Sequence, residues 1–212
     1  MIKRVFIIAI AAIVSAIAPA QDALVKTTMI TIYKDFQPAR ITLTNGKVVA
    51  EKQANIFIKN GALLYKHGVT TMQANMKQIK DVDFADRSYV RIDSLLAYVV
   101  DTVKQNKLLC ATLLDMDAYR SQMINDRQIT DLNIGDNVGV TTIEGMASDE
   151  DNQFPLVNHF YYEINGKIVS AHERDIRAIM PKDKRRAYKT IIQSPNFGWS
   201  NANSLLKILE LL

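Results

Sequence analysis

At three places along the chain, runs of β-branched, aromatic or aliphatic residues flank an Asn-Gly pair: Asn45-Gly46, Asn60-Gly61 and Asn165-Gly166. Asn and Gly both tolerate the positive φ of a type I′ turn, so each pair predicts a β-hairpin. A two-residue loop also fixes register. Around Asn45-Gly46 it sets Leu43 opposite Val48, Ile41 opposite Ala50 and, on the other face, Arg40 opposite Glu51 as an ion pair. Around Asn60-Gly61 it sets Ile58 opposite Leu63, Ile56 opposite Tyr65 and Phe57 opposite Leu64. Both faces are then apolar, which places these strands inside the structure, covered on both sides.

Ser88–Asp93 alternates as a strand, and residues 95–114 are apolar apart from Asp101-Thr102 and Lys104–Lys107. The β-formers Tyr98, Val99, Val100 and Val103 favour a fourth hairpin turning at Gln105-Asn106, with a helix from Asp93 as the competing reading. Asp115–Asp136 is polar and reads as a short helix plus loop, and Ser148–Asn152 as a solvated loop. The character changes at Pro181. A helix begins there and ends before Pro195, and a second runs from about Asn203 to Leu212, with Leu205, Ile208, Leu209 and Leu212 on one face and Asn201 or Asn203 as cap. The expected class is α+β: mainly antiparallel β, as hairpins in a meander or a sandwich, with C-terminal helices.

The first twenty residues follow another pattern. Lys3 and Arg4 precede an uncharged apolar run from Val5 to Ile17, which ends in Ala18-Pro19-Ala20. That is the layout of a secretory signal, too short in its apolar part to span a bilayer comfortably. Cleavage before Gln21 is expected, with the product exported to the periplasm or beyond. Gln21 stands where a lipoprotein needs cysteine, so no lipid anchor is expected. The organisation is then a signal at 1–20, a β-rich domain at 21–180 and a helical segment at 181–212 packed on it. Net charge falls from +4 to +2 as Lys3 and Arg4 leave with the signal, which argues against nucleic acid as a partner. Cys110 is the single cysteine, so no intramolecular disulfide is available, and its apolar setting reads as a buried small hydrophobe. No later apolar run reaches transmembrane length.

The basic helix Pro181–Lys189, then Phe197-Gly198-Trp199, Ser204-Leu205-Leu206 and a leucine-rich end, together with the export signal, resemble the tails of uncharacterised exported β-rich proteins of Gram-negative bacteria. The resemblance covers about thirty residues plus the signal and brings no catalytic motif. It implies an envelope or secreted component of undescribed activity.

Three constellations could carry chemistry. A turn at Asn165-Gly166 sets His159 opposite His172, close enough for two imidazoles to share a metal ion, with Glu173 as a third ligand. The simpler reading is a polar sheet face, since His67 lies far away in sequence. Second, Arg174, Arg177, Lys182, Lys184, Arg185, Arg186 and Lys189 fall within sixteen residues. Clustered cations suit anionic lipid or glycan surfaces of the envelope, or an envelope protein; a solvated helix face interspersed with Glu173, Asp175 and Asp183 is the simpler reading. Third, the pairs Asp81/Asp83, Asp115/Asp117 and Asp149/Asp151 invite a hydrolase or calcium reading, as does Asp131–Asn137, which lacks the glycine and glutamate of a calcium loop. Surface loops are the simpler role for all of them. Tyr89, Tyr98, Tyr161, Tyr162 and Trp199 could line a groove, although aromatics at strand positions usually belong to a core.

No Gly-x-Ser-x-Gly, His-Glu-x-x-His, phosphate loop, dinucleotide fingerprint or Cys-x-x-Cys is present. No cofactor is expected, and the expectation is a non-catalytic binding or envelope-structural domain, with an acidic-cleft hydrolase or a metal-binding protein as alternatives.

Overall fold

The computed structural model describes residues 26–127 and 153–212, with no side-chain detail at 123–127. The expected export signal with Gln21, the loop Asp131–Asn137, the stretch Ser148–Asn152 and the pair Asp149/Asp151 lie outside the described residues.

The described strands are β1 (Lys26–Thr27), β2 (Gln37–Leu43), β3 (Val48–Ile56), β4 (Leu63–His67), β5 (Thr70–Gln73), β6 (Ile79–Asp83), β7 (Ser88–Ile92), β8 (Leu95–Val103), β9 (Asn106–Leu114), β10 (Phe154–Ile164) and β11 (Lys167–Ser170). They pair antiparallel in one open sheet of order β1-β10-β9-β8-β7-β6-β2-β3-β4-β5, with β11 beside β10. The described helices are α1 (Met116–Arg127), α2 (Glu173–Ile179), α3 (Arg185–Ile192) and α4 (Ala202–Leu209), with 3₁₀ turns at Met76–Gln78 and at Lys182–Lys184, the latter leading into α3. The chain is thus α+β, largely antiparallel, with its helices mostly C-terminal.

All four hairpins form, but three of them in registers the turn residues alone did not give. At Asn45-Gly46 only Gly46 takes a positive φ, +83°, and the loop grows to three residues, closed by Gly46 N–H donating to Leu43 O at 2.9 Å. The register moves by one, so Ile41 faces Val49, Arg40 faces Ala50 and Ala39 faces Glu51. Arg40 pairs instead with Asp83 on β6, at 3.3 Å, and Glu51 turns its carboxylate to the N–H groups of Lys52 and Gln53. At Asn60-Gly61 the loop spans residues 58–61, and Ile56 faces Leu63 while Asn55 faces Leu64. The fourth hairpin turns at Lys104-Gln105, one residue early, with Lys104 at φ 58°. Strands therefore replace the competing helix from Asp93. Only at Asn165-Gly166, where both residues have positive φ, does the expected register hold, with Tyr161 opposite Ser170.

The longer loop at Asn60-Gly61 has a tertiary cause. Ile58 N–H donates to Ile30 O at 3.0 Å and Ile58 O accepts from Leu114 N–H on β9 at 2.7 Å, while Gly61 O accepts from Leu96 N–H on β8 at 2.9 Å. β3 lies four strands from β8 in the sheet order, ~19 Å across a flat sheet. Hydrogen bonds over that gap require the sheet to curl. Its curled part encloses Ile41, Ile56, Leu63, Val82, Tyr89 and Leu96, all below a tenth exposed. A second layer forms where the C-terminal helices bring Ile176, Met180, Tyr188, Leu205, Ile208 and Leu209 down on Leu108, Cys110, Phe160 and Tyr162 of β9 and β10. A single curled sheet with a helical cover thus does what a sandwich's second sheet would do.

Polar groups at the seams are satisfied. Fully buried Asn55 donates to Tyr33 O at 2.8 Å and Asp35 O at 3.3 Å, and accepts from Tyr33 N–H at 3.1 Å, tying the approach segment to β3. Tyr162, also fully buried, donates its hydroxyl to Leu205 O at 2.8 Å, linking sheet to α4. Asn201 caps α4 through Oδ1, which accepts from Ser204 N–H at 3.1 Å.

Tyr98 packs between the two cores. Burial, with the neighbouring Cys110 thiol adding to it and the Arg87 guanidinium opposing it, pushes its phenol up to about 12 from 10.0. The unfolded phenol ionises first, so the stability that Tyr98 contributes is complete below pH 10 and is lost as pH rises from 10 towards 12. Melting temperatures at about pH 9 and about pH 11 should diverge for wild type, and Tyr98→Phe should narrow the gap. An unchanged gap would remove Tyr98 from the alkaline transition.

Candidate functional site

The loop that leaves β11 turns into a helix at once. Ala171 N–H donates to Phe160 O at 2.9 Å, and His172 then serves as N-cap of α2, its Nδ1 accepting from Arg174 N–H at 3.4 Å. Glu173 and Asp175 in the first turn complement the helix dipole. Ile176 and Met180, one turn apart, face the sheet with 0% and 2% exposure. α2 ends at Ile179, just before Pro181, and Pro181 opens the turn that leads into α3.

Between α2 and α3 lies a cleft of about 710 Å³, lined by Glu173, Arg174, Arg177, Ala178, Met180, Arg185, Tyr188, Lys189, Ile192 and Gln193. Helical spacing explains the convergence: Arg174 and Arg177 lie three apart on α2, and Arg185 and Lys189 four apart on α3, so each pair shares a face. Of the seven cations the sequence singles out, these four meet at the cleft. Lys182, Lys184 and Arg186 are exposed and do not line it.

The cations differ in how far they are already engaged. Arg174 Nε lies 3.4 Å from Asp175 Oδ1 with its side chain 87% exposed, a weak surface pair. Arg185 Nε reaches Met180 O at 3.5 Å, the outer limit of a hydrogen bond. Among the described residues, Arg177 and Lys189 form no ion pair. Tyr188 is the buried floor, 4% exposed, its hydroxyl 3.5 Å from Glu173 O. Its phenol is pushed up by burial, Glu173 adding to the shift and Arg177 opposing it, so both charged groups act on the same ring. The cleft thus combines four cations and one carboxylate with an apolar floor of Met180, Tyr188 and Ile192.

The floor and α2 itself are what the charge pattern left unread. The signals for α2 were present: acidic residues at 173 and 175, apolar residues at 176, 179 and 180, then proline.

The remaining expectations fall as follows. His159 is exposed on β10 opposite Ala111, and His172 is the α2 cap. Glu173 belongs to the basic cleft. Among the described residues, no group of three or more His, Cys, Asp or Glu is arranged to hold a metal. Asp83 binds Arg40 and accepts from Ser88 Oγ at 2.8 Å, Asp81 pairs with Lys80 at 3.5 Å, and Asp115 accepts from Ala118 N–H at 2.9 Å at the start of α1. Each has a local structural partner. Cys110 is fully buried, its thiol pushed up by that burial. Tyr89 and Tyr162 are core residues, and the Arg87 guanidinium covers Tyr98 at 4.9 Å from the ring centroid. Trp199 packs edge-on against Phe197 at 5.0 Å beside the helical core.

Compared with known proteins, the chain matches no family model, no curated protein and no solved structure. Among the described residues, no helix is long and apolar enough to cross a membrane.

Proposed function

We propose that this is an exported, non-catalytic binding domain that holds an acidic ligand in the cleft between α2 and α3. The observation that carries the reading is the convergence of Arg174, Arg177, Arg185 and Lys189 on one concave surface, against the single carboxylate of Glu173. Cations on both walls of a recess focus the field towards its centre, where an anion meets all of them at once. The floor is supported from below by the packed helical core, so the walls are held in place before a ligand arrives. Export rests on the layout of residues 1–20, and the bacterial envelope, rich in acidic glycans and lipids, is the setting it supplies. An acidic-cleft hydrolase would gather carboxylates in its recess; this one has the opposite charge balance.

Retention on a heparin column tests the reading. Replacing Arg174, Arg177, Arg185 and Lys189 together by alanine should lower the eluting salt concentration well below that of a variant lacking Lys34, Lys47, Lys52 and Lys77, which removes the same charge elsewhere. Equal elution of the two variants would mean that net charge, not the cleft, holds the polyanion. Circular dichroism of both variants checks that the fold is retained.

A further inference from the structure

Resting on the reading of the cleft as an anion seat, we infer that its ligand is a phosphate ester carried on an apolar or aromatic body. Charge, donor geometry, floor and size point the same way. The lining carries four cations and one carboxylate, so a single carboxylate would leave most of the positive charge uncompensated, whereas a phosphate monoester brings a charge of about −1.5 to −2. Three of the four cations are guanidiniums, whose flat forks each bind two oxygens. A tetrahedral phosphate offers oxygens in several directions and can meet forks from both helices, while a planar carboxylate offers two oxygens in one plane.

The floor then decides between an ester and the bare ion. Half-buried Ile192 and the aliphatic stems of Arg177, Arg185 and Lys189 form an apolar surface in the cleft, closed below by the almost fully buried Tyr188 and Met180; inorganic phosphate would leave this surface uncovered and an organic substituent would cover it. The size agrees: about 710 Å³ lies in the range of roughly 300–1,000 Å³ that holds a whole small organic molecule. Arg177 and Lys189, unpaired among the described residues, take the phosphate oxygens from opposite walls. Arg185, tethered to Met180 O, and Arg174 complete the ring.

The chemistry has two sources, a soluble phosphate ester or a phospholipid headgroup, and one set of titrations separates them. Calorimetry of the full chain with phenyl phosphate, phthalate and inorganic phosphate should give the tightest binding for phenyl phosphate, by tenfold or more. Arg177→Gln and Lys189→Gln should each weaken it roughly tenfold, with unchanged circular dichroism. Co-sedimentation with phosphatidylcholine vesicles containing phosphatidic acid, lost in the same variants and displaced by phenyl phosphate, assigns the seat to a lipid headgroup. Phenyl phosphate binding without co-sedimentation assigns it to a soluble ester. Phthalate or inorganic phosphate binding as tightly as phenyl phosphate would overturn the inference while leaving an anion seat. Failure of every anion to bind would overturn the anion seat as well.

Discussion

Gly61→Ala should destabilise the protein by about 2–5 kcal/mol, far more than the same change at Gly46, because two independent costs meet at one residue. Gly61 holds φ +69°, a left-handed conformation that costs an L-residue roughly 1–2 kcal/mol. An added Cβ would also lie 2.8 Å from Leu95 Cβ and 3.2 Å from Leu113 Cδ2, and relieving such overpacking costs a further ~1–3 kcal/mol. The neighbours cannot simply step back, since Gly61 O is hydrogen-bonded to Leu96 N–H at the point where the curled sheet touches itself. Gly46 has φ +83° but open space around it, so Gly46→Ala should lose only the conformational part. Urea denaturation of the two variants measures the difference. Similar midpoints would mean that the sheet does not close tightly at Gly61.

The second large effect lies under the cleft. Leu205 has no exposed surface and belongs to the cluster that joins Tyr162 of β10 to Ile176 of α2 and Tyr188 of α3. Leu205→Ala should cost about 2–5 kcal/mol through lost burial and the cavity left behind. The damage should be regional, because the curled part of the sheet has its own separate core. Amide exchange should accelerate across residues 173–209 while β2, β3 and β6 keep their protection, and anion retention should fall with it. Uniform acceleration over the whole chain would show that sheet and helical layer unfold as one unit. For a domain of this size each kcal/mol moves the melting temperature by roughly 2–4 °C, so the shift is readily seen.

These two residues show how far the sequence could be read. Gly61 was legible as a turn residue because Asn-Gly announces positive φ, yet the loop around it is two residues longer than the pair implies. The extra length comes from Ile58, whose backbone bonds to Ile30 and Leu114. Such distant partners leave no trace in local pattern. At Asn165-Gly166 both turn residues have positive φ, and although Asn165 N–H donates to Asn106 Oδ1 at 3.3 Å and β10 also pairs with β9, neither contact lengthens the loop, so the local rule sufficed.

The cleft was half legible for a similar reason. Charges at helical spacing marked its cations, but Lys182, Lys184 and Arg186 carry the same signal and lie elsewhere. Which cations converge depends on how α2 packs against α3, and that is set by Ile176, Met180 and Tyr188 meeting the sheet. The turn at Asn165-Gly166 predicts His172 as a strand residue opposite His159; the strand ends at Ser170, and His172 caps α2 through Nδ1, which accepts from Arg174 N–H.

Amide chemical-shift mapping with phenyl phosphate tests the central claim most directly. Perturbations concentrated at Glu173–Gln193, strongest near Arg177, Tyr188 and Lys189, are the predicted result. Shifts centred on the β-sheet or spread over all surface lysines, with residues 173–193 silent, would contradict it.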